Sequence, residues 1–425
     1  MKTEVPGIEF VRQVGELKEY KLLKNGLTIL LASDLESPVA GLMVTYHVGS
    51  RHEGIGYTGA THLLEHLMFK GSQKFPREKG ADLLEARGAI LNATTWMDRT
   101  NYYEIVPVTL LPFAAEFEAS RMRGAVISEK DRVSEMPIVW NEFERGENHP
   151  IEALDKLIWS TAFQAHPYHH STIGWRSDIE NVSIERLQQF YNDFYWPNNA
   201  TVSIVGGIDE VSALKLIKEH FGEIPHSPNP IPRPYTTEPV QEGERRVIVS
   251  RTGPNMVGMG HKIPNAHHPD MAAIGMLGTL LAGHKRSRLY RRFIDTAMAT
   301  SVSAYGLPLH DPGLFTTYVT LADGVSHADI EKGLKEEFAL LAKKGPTKAE
   351  LAQARRYLRA YTAEKRDGAY AFLSALNEDI ATGDWTRFVR FPEAMLRATE
   401  ADIAKVAKRY LVDDQATVGW FVGKP

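Results

Sequence analysis

Lys24-Asn25-Gly26-Leu27 sits between apolar-rich runs and reads as a type I′ hairpin turn, with Thr28 to Leu31 and Ala40 to Val48 as the flanking strands. Asp82 to Arg87 continues a helix that Gly88 ends. Asn92 to Thr95 and Tyr102 to Val106 then read as strands around a polar turn at Asp98 to Thr100. Glu185 to Gly206 reads as an amphipathic helix, a turn at Pro197 and a strand ending in glycine. Asp402 to Gly423 repeats that frame: helix, tyrosine (Tyr410 for Tyr195), polar turn, Ala-Thr-Val, apolar strand, glycine. Two units closing alike suggest a duplicated chain. Between them, Gly222 to Glu244 holds six prolines and little apolar periodicity, the composition of a stiff, extended linker. The pattern predicts an α+β protein with two homologous halves, each a mostly antiparallel sheet flanked by helices. The expected organisation is a first domain over 1–222, a linker over 223–244 and a second domain over 245–425.

A length of 425 residues fits two domains, and 43% hydrophobic with 24% charged residues describes an ordinary globular chain. A formal net charge of -4 argues against a general nucleic-acid or membrane-surface binder. No apolar stretch is long enough to span a bilayer. Met1 to Tyr20 is mixed and charged, without a signal-peptide core. That fits a cytoplasmic chain, or an exported one whose leader is absent. With no cysteine, disulfides and thiolate ligands are excluded, so any zinc must be held by histidine and carboxylate.

Composition becomes chemistry at His62-Leu63-Leu64-Glu65-His66. Imidazoles four residues apart lie on one helix face, one turn apart, and can aim ring nitrogens at a single ion. Glu65 reaches the same face. Two neutral histidines and a nearby glutamate are what a hydrolytic zinc site needs, with the metal acidifying a water and the carboxylate taking its proton. A third ligand must come from elsewhere. The acidic candidates lie between Ser134 and Glu144, where Glu135 and Glu142 are seven residues apart and face the same way. Pro137 lies between them, so either Ser134 caps a fresh helix or a longer helix kinks there.

In these residues the chain resembles the pitrilysin-type metallopeptidases, the inverzincin family of insulin-degrading enzyme and the mitochondrial processing peptidase. Members resemble one another in an HxxEH helix, a glutamate ligand about 75 residues on, and a second glutamate about two helical turns before it. Here Glu142 falls 76 residues after His66, and Glu135 takes the earlier slot. The resemblance implies one zinc ion per chain held by His62, His66 and Glu142, with Glu65 as general base and Glu135 orienting a ligand or adding negative charge nearby. Gly88 to Thr95 and Thr100 to Tyr103 are similar to the family's Gly-x-x-x-Asn-Ala-x-Thr stretch, which implies an edge strand on which an extended peptide lies, with Asn92, Ala93 and Thr94 as its contacts. Phe69 is a candidate floor for the first specificity pocket. His166-Pro167-Tyr168, Ile173-Gly174 and Pro197 to Ala200 look like structural landmarks of the family. The implied compartment is the periplasm if a leader has been removed.

The second half lacks HxxEH. Ala282 to Arg292 resembles the family's entry to a Ser-Arg-Leu helix, after which active relatives carry an Arg and a Tyr that hold the substrate carbonyl. Those slots fall at Ile294 and near Thr300, with Tyr305 reachable only by a shifted alignment. Loss of one such donor costs about 10²–10³ in rate. The resemblance therefore implies a zinc endopeptidase subunit whose homologous partner, lacking HxxEH, supplies the Arg and Tyr in a clam-shell heterodimer. The alternatives are a non-catalytic assembly or scaffold subunit that keeps the fold, and a zinc hydrolase acting on a non-peptide substrate.

Overall fold

The computed structural model describes residues 4–77 and 79–424. Its first sheet contains β1 (Ile8–Val14), β2 (Leu17–Leu22), β3 (Thr28–Ser33), β4 (Val39–Tyr46), β5 (Ile90–Thr95), β6 (Thr100–Pro107) and β7 (Ala200–Gly206) in the order β1-β2-β3-β7-β4-β6-β5. The second contains β8 (Arg245–Thr252), β9 (Met256–Ile263), β10 (Ala299–Gly306), β11 (Gly313–Leu321) and β12 (Ala416–Lys424) in the order β10-β11-β9-β12-β8. Both sheets carry helices, so the architecture is the α+β class expected.

The duplication is visible in strand pairing. β7 runs parallel to β3 and antiparallel to β4, and β12 runs parallel to β8 and antiparallel to β9. Each of these strands follows the helix and polar turn of the repeat, at Ile184–Phe194 and Glu400–Tyr410. The Pro-rich segment falls between the two sets of strands, and residues 226–242 form no helix or strand.

The compact units do not follow the linear halves. One comprises Met1–Asn141, Ser171–Tyr235 and Lys365–Thr386; the other comprises Glu142–His170, Thr236–Glu364 and Arg387–Pro425. In the first unit the helix Ala369–Ala381 covers a face of the first sheet, where Gly41 makes room: a Cβ there would lie 2.5 Å from Leu373 Cδ1. In the second unit the helix Pro150–Ala162 does the same for the second sheet, with Gly258 giving way to Ile158. Leu280, Phe293, Phe315, Leu334 and Val418 belong to the buried core of that unit.

Two local expectations change. Leu22 N–H donates to Leu27 O, and Asn25 is not among the non-glycine residues with positive φ, so Lys24-Asn25-Gly26-Leu27 is a longer turn rather than type I′, which needs positive φ at two central residues. Only Gly26 (φ 78°) takes the left-handed region, while Asn25 spends its amide on Phe221 O (2.8 Å) and Ile224 O (2.9 Å). The turn joins β2 to β3; β4 is separated from β3 by β7. Of the two possibilities at Pro137, the longer helix forms: Glu129–Asn148 runs through it, and Ser128 Oγ accepts from Asp131 N–H at its start.

Arg288 of the Ser-Arg-Leu landmark is a packing residue. Its guanidinium meets Glu350 at 3.1 and 2.9 Å, while Thr347 and Glu350 form a reciprocal cap on the helix Lys348–Glu364. Burial alone would raise the Glu350 pKa, but bonds from Arg288 and Thr347 outweigh it and hold the carboxyl at about 2. A folded pKa below the unfolded 4.5 contributes stability above pH 4.5 that is lost as pH falls toward 2. Glu350→Gln is therefore expected to cost about 1 kcal/mol at pH 7 after discounting for solvent screening. In urea titrations the gap to the parent should close as pH falls through that window; a gap independent of pH would contradict it.

Candidate metal centre

The His-pair helix, Ala60–Leu67, is set in place from its N-terminus and its apolar face. Leu63, Leu64 and Leu67 are buried, which leaves His62, Glu65 and His66 half-buried on the opposite stripe. Gly59 precedes the helix at φ 85°, and the Glu53 carboxylate accepts from Gly59 N–H (2.8 Å) and Thr61 N–H (2.7 Å). Two of the unpaired donors at the helix start are thereby satisfied by a buried side chain. Asp178 Oδ2 takes the N–H of Gly56 and Thr58 at 3.1 Å each. Gly174 packs so closely on Thr58 that a Cβ would lie 2.4 Å from its carbonyl carbon, so this landmark serves packing.

The third group arrives on Glu129–Asn148. Glu135 Oε2 lies 3.1 Å from His66 Nδ1, and Glu135 Oε1 accepts from Lys70 Nζ at 2.6 Å. Two turns further on, Glu142 brings a carboxylate oxygen to the pair. The boundary between the compact units falls between Asn141 and Glu142, inside this unbroken helix, so Glu142 is carried by the turns that hold Glu135. Ligand atoms of His62, His66 and Glu142 all lie within 4.8 Å of one another.

The donor set suits zinc. Burial, and secondarily His66, push the His62 pKa down to about 3, which keeps its imidazole neutral with a lone pair. A Glu135 carboxylate at His66 Nδ1 calls for the proton on that nitrogen, leaving Nε2 as the electron-pair donor. Zinc bonds such atoms at about 2.0–2.2 Å, a distance that side-chain rotation can reach from this spread. Glu65 accepts a hydrogen bond from Thr95 Oγ1 and lies between the two histidines in sequence.

The other expected residues are placed as follows. β5 is the outer strand of its sheet, with Asn92 and Thr94 exposed and Ala93 buried. Asn92 Oδ1 accepts from Ala93 N–H at 2.8 Å. Phe69 is half-buried against Tyr102 and the Arg121 guanidinium. In the second unit Ile294 packs against the apolar core, Thr300 is exposed on β10, and Tyr305 on the same strand is 43% exposed. Sequence reasoning missed Glu53, Thr95 as the partner of Glu65, and Lys70. Lys70 lies one turn beyond His66 and could have been found by helical spacing; Glu53 acts through a loop and carries no periodic signal.

The chain matches the insulinase family (peptidase family M16) over residues 28–175 and the peptidase M16 inactive domain over residues 181–358. It is 30% identical over 404 residues to the zinc protease PqqE of Helicobacter pylori, covering 93% of this chain and 90% of that one. It is 26% identical over 421 residues to a probable mitochondrial-processing peptidase subunit beta of Schizosaccharomyces pombe, covering 94% and 90%. Among solved structures, a protease from Helicobacter pylori superposes with a TM-score of 0.92 at 27% identity, over 96% of this chain and 99% of that one. The first half of the periplasmic protease PqqL from Escherichia coli shares the fold, with a TM-score of 0.79 at 19% identity over 98% and 93%. The chain belongs to peptidase family M16, as its HxxEH helix and paired glutamates implied. Among the described residues no helix is long and apolar enough to cross a membrane.

Because Glu53 holds two backbone donors at the start of the His-pair helix, Glu53→Ala should destabilise the protein by about 1–3 kcal/mol. Equilibrium urea unfolding measures this, and an unchanged midpoint would remove Glu53 from the support of the site.

Proposed function

We propose that this chain is the zinc-bearing subunit of a metalloendopeptidase acting on peptides or unfolded segments. The observation that supports it most is the convergence of His62, His66 and Glu142 from two helices onto one point. In this reading one zinc ion per chain is held by those three residues and supplies Lewis acidity toward a water and the scissile carbonyl. Glu65 takes the proton from the attacking water and passes it to the leaving amine. Its bond from Thr95 aims the carboxylate and ties it to the strand next to the substrate. Glu135 orients His66 from behind, and Phe69 is the proposed floor of the first side-chain pocket.

The peptide is read as an added strand on β5, contacting Asn92, Ala93 and Thr94. Trp96 N–H donates to Arg99 O at the end of the β5–β6 ladder. By antiparallel alternation Leu91, Ala93 and Thr95 then turn their backbone groups to the free edge. Backbone pairing gives affinity with little sequence choice.

Ile294 and Thr300 supply neither of the donors that the developing oxyanion needs. A homologous M16 subunit without HxxEH is therefore proposed to contribute an Arg and a Tyr and close a chamber as a heterodimer. The periplasm is the favoured compartment if a leader has been removed. The same missing donors favour one rival, a non-catalytic assembly subunit.

Glu65→Gln separates the two. The enzyme reading expects zinc stoichiometry retained and peptide turnover reduced by about 10²–10⁴; turnover equal to the parent would refute the role of Glu65, and a metal-free parent would refute the site. Glu135→Ala is expected to weaken zinc about 10–100-fold in chelator competition. The isolated monomer should be slower than its mixture with the partner by at least about 10²; equal rates would end the partner proposal.

A further inference from the structure

β5 carries ties on both faces, and one of them leads to a part of the sequence far from the zinc site. Thr45 on β4, Asn101 on β6 and Thr94 on β5 stand opposite one another in a row across the first sheet. Their side chains share the face opposite Thr95 and Tyr102, because alternate residues of a strand point to alternate faces. That face is covered by the helix Ala369–Ala381. Asn377 on this helix accepts from Thr45 Oγ1 (2.8 Å) and donates to Asn101 Oδ1 (3.1 Å). Asn101 Oδ1 also accepts from Thr94 Oγ1 at 2.6 Å. Arg99 completes the chain: Nη1 donates to Thr94 O (2.9 Å) and Thr94 Oγ1 (2.5 Å), and Nη2 donates to Glu378 Oε1 (2.5 Å).

The inner bonds, among Thr45, Asn377 and Asn101, are formed in dry surroundings, while Thr94 and Glu378 at the ends of the network are exposed. Thr45, Asn101 and Asn377 are each no more than 2% exposed, and Arg99 is 8% exposed. The geometry gives the network a task beyond packing. Thr94 is bonded to Asn101 and Arg99 on one face, and its neighbour Thr95 is bonded to Glu65 on the other. A shift of β5 along or away from β6 therefore moves the free edge of the strand and the partner of Glu65 together. Loss of about 1 Å in placement is enough to cost up to about 10² in rate.

We propose that Asn377 and Glu378, acting through Asn101 and Arg99, are positioning residues that fix the peptide-binding strand relative to Glu65. The inference rests on the reading of β5 as the substrate edge. It adds that a helix from the last quarter of the sequence sets how extended peptides are held.

Glu378→Ala and Asn377→Ala test this in the full chain, with Glu378→Gln as the conservative variant that keeps the oxygen Arg99 needs. For an unstructured peptide assayed with the partner subunit, kcat/KM should fall about 5–100-fold in both alanine variants, because the peptide edge and the partner of Glu65 shift together. Glu378→Gln should stay within about 2-fold of the parent, and zinc stoichiometry should be unchanged throughout. Amide exchange at Leu91 to Thr95 should quicken in the alanine variants without any substrate, a readout that does not depend on turnover. An active parent whose alanine variants keep the parental kcat/KM overturns the inference. So does unchanged exchange along β5, whether or not the parent is active. A parent that binds zinc yet never cleaves a peptide counts against the enzyme reading alone.

Discussion

The Glu135 carboxylate, shared between His66 and Lys70, is the constraint on which the site depends. One oxygen faces the imidazole and the other the ammonium, so the His-pair helix and the Glu129–Asn148 helix are locked in register as well as in contact. At only 6% side-chain exposure, this carboxylate would be costly to leave without partners. Two turns of unbroken helix then place Glu142 beside His62 and His66 without further instruction. Pro137 sits between the two glutamates without ending the helix, so the phase between them is kept.

What could be read in the sequence is what local periodicity encodes. His62, Glu65 and His66 share a face because they share a helix, and Glu135 and Glu142 share one because seven residues make two turns. The repeated helix-turn-strand endings likewise foretold β7 and β12, each with one parallel and one antiparallel neighbour. The illegible parts depend on residues far apart in the chain. Asn25 looked like half of a tight turn, but its amide is bonded to carbonyls of Phe221 and Ile224. Glu53 resembles any surface glutamate until the loop folds it under Gly59. Nothing near Asn101 announces that Asn377 will be its partner.

The two sheets are related by repeated topology but carry different chemistry. The first has a helix with two imidazoles and a carboxylate on its half-buried stripe. In the second, Ile294 packs on the core and Thr300 lies on an outer strand. Arg288, despite its charge, is absorbed by Glu350 at a helix cap. Duplication has preserved the scaffold, while among the described residues the candidate metal-binding group, His62, His66 and Glu142, falls in the first half of the sequence.

The helix Ala369–Ala381 has a consequence for biosynthesis. Seven strands of the first sheet are already present by Gly206, yet the face around Gly41 and Thr45 has no cover until the ribosome has made residues beyond Ala381. A nascent chain emerging at about 5–20 residues per second would therefore display this sheet face uncovered for roughly ten seconds or more. Folding of the first sheet is in effect post-translational. That interval is a natural window for chaperone capture, and premature termination before Ala369 would release the sheet with that face uncovered.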